Sequence, residues 1–149
     1  NKKTKLICEL FCGSGTITLP LLKKLYQIHA FELDKESLKS LDIAARKESF
    51  GNRVKTKVRD LKNFPLTSDE LSKYDAIIVD PPRSGAKLQF LNIARSNVSI
   101  IVSISCNVNT FVRDAKILIE SNYELKWVQP IDQFLFSAHV ELVAIFQLK

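Results

Sequence analysis

Two short words in the sequence carry side chains able to make and break bonds. Asp80-Pro81-Pro82-Arg83 closes the apolar run Ala76-Ile77-Ile78-Val79, and Ser105-Cys106-Asn107 closes a run from Val98 to Ile104. Short β-branched runs read as strands buried on both faces, which puts Asp80 and Cys106 at the carboxyl ends of parallel strands. Ligands bind at that edge of an open α/β sheet. A thiol there is a nucleophile, and a carboxylate takes a proton or holds a cation. Glu141 is a third group of this kind. It opens the stretch Glu141-Leu142-Val143-Ala144-Ile145-Phe146, a strand whose two faces both turn apolar. Burying an unpaired carboxylate there is costly, so a role in chemistry stands beside the simpler reading of a water-exposed strand end. For Cys106 the simpler reading is a small buried hydrophobe; its strand-end place between Ser105 and Asn107 argues against that.

The elements that must position these groups follow from the apolar periodicity. Lys5 to Phe11 reads as a first strand, and Cys12-Gly13-Ser14-Gly15-Thr16 as a glycine turn before a helical pattern of Ile17, Leu19, Leu21, Leu22 and Leu25. Glycine at 13 and 15 lets the backbone approach a ligand, with free N–H groups at the helix start. A dinucleotide fingerprint would need a third glycine where Thr18 stands, so the pyrophosphate-binding version is incomplete. A second strand, Gln27 to Glu32, ends in an acid. A helix from about Lys35 to Glu48 follows, with Leu38, Leu41 and Ala45 inward, ended by Gly51-Asn52; a third strand from Val54 to Arg59 meets Asp60. Any one of Glu32, Asp60 and Asp80 could be a helix cap. Together, after a Gly-x-Gly turn, they point to an adenosine-type cofactor. A short helix near Ser68, helices around Leu88 to Ile93 and from Asn107 to Glu120, and strands Tyr123 to Val128 and Val140 to Leu148 complete a doubly wound, mostly parallel α/β sheet.

Composition bounds the class. With 149 residues, 46% of them hydrophobic, residues 1–149 are expected to form a single domain. No apolar run has membrane-spanning length, and three cysteines at irregular spacing suit reduced thiols, so a cytoplasmic monomer without membrane contact is expected. Cys8-x-x-x-Cys12 lacks the second cluster that a metal site needs, and no metal is assigned. Cys8 reads as core and His29 as structural. The net charge of +6 suits a polyanionic partner such as RNA. A chain opening on Asn1 without any methionine is expected to be a piece of a longer protein.

Four words in order, Glu9-Leu10-Phe11-Cys12-Gly13-Ser14-Gly15-Thr16, Asp80-Pro81-Pro82-Arg83-Ser84-Gly85, Ser105-Cys106-Asn107 and His139-Val140-Glu141, resemble the catalytic domain of the S-adenosylmethionine-dependent RNA uracil-C5 methyltransferases. The resemblance spans nearly the whole chain. It implies a Rossmann-like class I methyltransferase fold of about seven strands with the last antiparallel, S-adenosyl-L-methionine as cofactor, and RNA, ribosomal or transfer, as partner. Cys106 is then the nucleophile and Glu141 the base. Phe11, Glu32, Asp60 and Asp80, with Gly13, Gly15 and Thr16 of the turn, contact the cofactor. Arg83 and Arg113 are candidates to grip RNA, and His139 to orient the site. The family's N-terminal RNA-binding domains and an upstream cofactor-contacting Gln are not in this sequence. Val108 and the Phe134-Leu135-Phe136-Ser137-Ala138 stretch depart from the family's usual words.

The residue types suit the reaction. Uracil C5 is too weak a nucleophile to take a methyl group unaided, and thiolate addition at C6 gives C5 carbanion character. Cysteine is intrinsically nucleophilic even though a free thiol of pKa about 8.5 is only a few per cent ionised at pH 7. The C5 proton must then leave, and a carboxylate is its natural acceptor. The rivals are an amino-group methyltransferase, which wants an aromatic after Pro-Pro where Arg83 stands, a cytosine-C5 enzyme, which lacks its Pro-Cys setting here, and an inactive RNA- or cofactor-binding module.

Overall fold

The computed structural model describes residues 5–132 and 140–149. His139 and the Phe134 to Ala138 stretch lie outside the described residues. Seven strands alternate with five helices: β1 (Leu6–Leu10), α1 (Thr18–Leu22), β2 (Gln27–Glu32), α2 (Lys35–Lys47), β3 (Val54–Val58), α3 (Ser68–Leu71), β4 (Ala76–Val79), α4 (Lys87–Arg95), β5 (Ile100–Ser105), α5 (Val108–Glu120), β6 (Tyr123–Ile131) and β7 (Glu141–Leu148). The strands form one sheet in the order β3-β2-β1-β4-β5-β7-β6. Every pairing is parallel except those of β7, which runs antiparallel to both β5 and β6. The chain winds outward from β1 in both directions, so a crevice opens at the carboxyl ends of β1 and β4.

Burial follows from the apolar runs. On one face Phe90, Ile93, Ala115 and Leu118 of α4 and α5 pack over Cys8, Leu10, Ile77, Val79 and Ile101. On the other, Leu22 of α1 and Leu38, Leu41 and Ala45 of α2 pack over Ile7, Ile28, Ala30 and Val54. Cys8 is fully buried core, and desolvation drives its thiol far above the ordinary range. No helix among the described residues is long and apolar enough to cross a membrane.

Two helix ends differ from the sequence pattern. Leu25 is not part of α1: it takes φ 66° and is 69% exposed. The chain must leave the helix there because Gln27 already donates its N–H to the Lys5 carbonyl as β2 begins. In α2 the helix ends at Lys47, one residue short of the expected Glu48, and the left-handed residue that stops it is Ser49 at φ 62°, not Gly51.

Candidate functional site

The β5–β7 pair carries the proposed nucleophile and base at one end. In the antiparallel β5–β7 pair, Ile100 faces Gln147 and the ladder runs stepwise to Ser105 facing Leu142. Cys106 follows the last residue of β5 and Glu141 is the first of β7, so both stand at the same end of this pair. Both side chains are half-buried. Ser105 shapes the strand end: its hydroxyl donates to the Asn107 carbonyl at 3.1 Å and accepts from the Asn107 N–H at 3.2 Å. Asn107 then caps α5 by accepting from the Asn109 N–H, so the positive end of that helix lies beside Cys106.

Asp80 leaves β4 on the neighbouring strand. Its carboxylate receives no hydrogen bond from another described residue, and burial, with the Glu141 charge second, pushes it up to about 6. It borders a cavity of about 360 Å³ that also meets Phe11, Glu32, Leu33, Asp60, Leu61 and Pro82. Phe11 sits at φ 62°, a strained conformation for a bulky residue and of the kind that gathers at functional sites. Glu32 straps the glycine turn to β2: Oε2 accepts from the Gly13 N–H at 3.0 Å, and Oε1 from the Leu33 and Asp34 N–H groups. A carboxylate has about four acceptor sites, which leaves Oε2 room for one more donor. Asp60 accepts from the Lys62 and Asn63 N–H groups and the Asn63 amide, and these bonds hold it below the usual carboxylate range. Neither Glu32 nor Asp60 caps a helix; Asp34 caps α2.

The two glycines have different reasons. At Gly13, φ 54°, a Cβ would meet nothing within 4 Å, so its open side is available to a ligand. At Gly15, φ 93°, a Cβ would run into the Leu41 side chain, so this glycine serves the packing of the turn on α2. The N–H groups of the turn are partly spent: Gly13 donates to Glu32 and Gly15 to the Cys12 carbonyl. Thr16 is exposed within the turn.

Arg83 is exposed, and its carbonyl is held by Asn107 Nδ2 and Thr110 Oγ1 of α5. Arg113 turns out to be a brace. Its Nε donates to Asp114 Oδ1 at 2.8 Å and its Nη2 to the Ser84 carbonyl at 3.1 Å, while Asp114 Oδ2 accepts from the Ala86 N–H. Its guanidinium thus holds the loop after Pro82, while the side chain stays 41% exposed. The brace needs Gly85 at φ 70°, since a Cβ there would meet the Arg113 guanidinium and lie 2.6 Å from Asp114 Oδ2.

Glu9 lies outside the site residues that the sequence words point to. It is 1% exposed in mid-strand, bonded through Oε2 to the Thr18 hydroxyl at 2.7 Å, and desolvation pushes it up to about 7. Its folded pKa lies above the unfolded value, so the folded state holds the extra proton and loses stability as pH rises from 4.5 to about 7. At about 1.4 kcal/mol per pKa unit this amounts to something on the order of 3 kcal/mol. Glu9→Gln is therefore expected to match the parent chain at pH 4 and to exceed it in stability by that order at pH 8. Denaturant unfolding of both chains across that range measures it; equal stabilities at pH 8 contradict a buried charge at this position.

The sequence profile of the tRNA (Uracil-5-)-methyltransferase family matches residues 1–148. The chain belongs to that family. It is 47% identical over 145 residues to an uncharacterized RNA methyltransferase of Agrobacterium fabrum, covering 97% of this chain and 35% of that protein. A second such relative, from Mesorhizobium japonicum, is 45% identical over 144 residues. The chain thus spans about a third of the length of the curated relatives it matches. Among solved structures, the Pyrococcus abyssi tRNA (uracil-54, C5)-methyltransferase in complex with S-adenosyl-L-homocysteine superposes with TM-score 0.78 at 28% identity, over 97% of this chain and 34% of that one. Magnesium protoporphyrin IX methyltransferase from Synechocystis, at TM-score 0.77 and 13% identity, shares the fold alone.

Proposed function

We propose that this chain is the catalytic domain of an enzyme that transfers a methyl group from S-adenosylmethionine to C5 of a uridine in RNA, through a covalent bond between Cys106 and uracil C6. The observation that supports the reading is that β4, β5 and β7 are neighbours in the sheet and end in Asp80, Cys106 and Glu141 at one edge, with the Glu141 charge felt at Asp80. The cavity fits the cofactor's parts. Leu33, Leu61 and Pro82 offer apolar walls to a purine, Glu32 Oε2 an acceptor for a ribose hydroxyl, Asp60 an acceptor for a ring amine, and Asp80 an unpartnered carboxylate for a cationic group. S-adenosylmethionine, when bound, supplies an electrophilic methyl group.

Cys106 adds as thiolate to C6, forming the S–C6 bond and moving the C5=C6 electron pair toward C5 and the O4 enolate. C5 uses that pair to take the methyl group, whose bond to the cofactor's sulfur would break with S-adenosylhomocysteine as the leaving group. Glu141 accepts the C5 proton, the electrons re-form C5=C6, and the S–C6 bond breaks to return the thiolate. A base within a stem or loop must be unstacked to reach Cys106, at a cost of about a few kcal/mol. Arg83, exposed in the loop after Pro82, would meet the RNA backbone.

The product tests the reading. After incubation with RNA and labelled S-adenosylmethionine, digestion to nucleosides is expected to give 5-methyluridine as the labelled species. Label in an N-methylated adenosine or guanosine would support the amino-group rival instead.

A further inference from the structure

The sheet face at the outer strands β2 and β3, on the α4–α5 side, is left open. His29 faces Lys55 and Phe31 faces Lys57 across the β2–β3 pair. The four-residue α3 and the turn after it form the opposite wall with Lys73 and Tyr74, and they leave a concavity of about 300 Å³. Lys55, Lys57 and Lys73 are all exposed, and among the described residues none of them is in an ion pair. The single acid lining the hollow, Glu70, is already engaged: its Oε2 accepts from the Thr67 N–H at 2.9 Å and pairs with Arg59 at 3.4 Å. His29 bonds the Tyr74 hydroxyl at 3.0 Å, and burial together with Lys55 and Lys73 holds it below the ordinary histidine range, so it adds no charge of its own.

Three unneutralised ammonium groups around one hollow are a poor surface to bury against apolar protein and a good one for a polyanion with spaced charges. We propose that this face binds the phosphodiester backbone of the RNA, several nucleotides from the base at Cys106. In the sheet order β3 is four strands from β5, so the hollow lies roughly 19 Å away across the sheet at about 4.8 Å per strand. It is therefore a contact separate from the catalytic edge and shares none of that edge's groups. The inference rests on RNA being the substrate but not on methylation at C5.

The test compares the chain with its Lys55→Gln/Lys57→Gln/Lys73→Gln variant, binding a fluorescein-labelled RNA stem–loop between 50 and 200 mM NaCl. Each lost phosphate contact lowers the slope of log affinity against log salt by about 0.7–0.9. The expected result is a slope shallower by roughly 2 to 3, with weaker RNA binding at 50 mM and unchanged affinity for S-adenosylhomocysteine. Lys73→Gln alone, outside every strand, is expected to lower the slope by about one and serves if the triple variant does not fold. An unchanged slope in a variant that still binds S-adenosylhomocysteine overturns the proposal, as does an absence of salt-dependent RNA binding by the parent chain. Binding is read without turnover, so a labelled product other than 5-methyluridine would count against the proposed reaction and leave this result standing.

Discussion

Cys106→Ala is expected to lower methyl transfer on the order of 10⁴-fold or more, the scale on which removal of a catalytic nucleophile acts. Without the S–C6 bond, C5 has no carbanion character with which to take the methyl group, and no neighbouring side chain replaces it. Cys8 and Cys12 are buried, and desolvation raises both thiols, Cys12 to about 12, so neither offers a thiolate. Cofactor affinity is expected to be retained, because Cys106 does not line the cavity that holds Glu32, Asp60 and Asp80. Initial rates of label incorporation, paired with calorimetry of S-adenosylhomocysteine binding, separate the two effects. A rate within about tenfold of the parent in a chain that binds cofactor normally would rule out covalent catalysis by Cys106.

Glu141→Gln is expected to act later in the reaction. Glutamine keeps the shape and removes the proton acceptor, so turnover should fall by about 10²–10⁴-fold, the usual worth of a positioned base. Thiol addition and methylation need no base at C5, and elimination does. The variant should therefore accumulate protein–RNA adduct that already carries the methyl group, visible on a denaturing gel with labelled cofactor. Removing the Glu141 charge also removes one of the two causes that raise Asp80, whose carboxyl should titrate lower than about 6. A slow variant that accumulates no adduct would assign the proton to another acceptor.

The strands that carry these groups were legible because short apolar runs and their polar ends are local features. β4 ends at Val79 and β5 at Ser105, which puts Asp80 and Cys106 at the expected edge. What escaped depends on contacts between distant residues. Gly15 looked like a ligand-approach glycine, and its constraint is Leu41 of the next helix. Arg113 looked like a free cation, and it is paired with Asp114, buried on the face of α5 that carries Phe111 and Leu118, and bonded to the Ser84 carbonyl. That carboxylate on an apolar stripe was a visible signal, as was Glu9 in the middle of the apolar Ile7–Leu10 run. Neither belongs on a face that buries hydrocarbon unless a partner waits there, and each has one: the Ala86 N–H for Asp114 and the Thr18 hydroxyl for Glu9.

The covalent step is tested most directly by trapping it. RNA containing 5-fluorouridine presents the same C6 to Cys106, but fluorine cannot leave C5 as a proton does, so the reaction should stall after methyl transfer. Mixed with S-adenosylmethionine and this RNA, the chain is expected to give a stable adduct whose peptide mass maps the RNA, with its added methyl group, to Cys106. Methyl transfer to unmodified RNA by the same preparation without any adduct on the fluorinated RNA, or an adduct mapped to Cys8 or Cys12, would contradict the account.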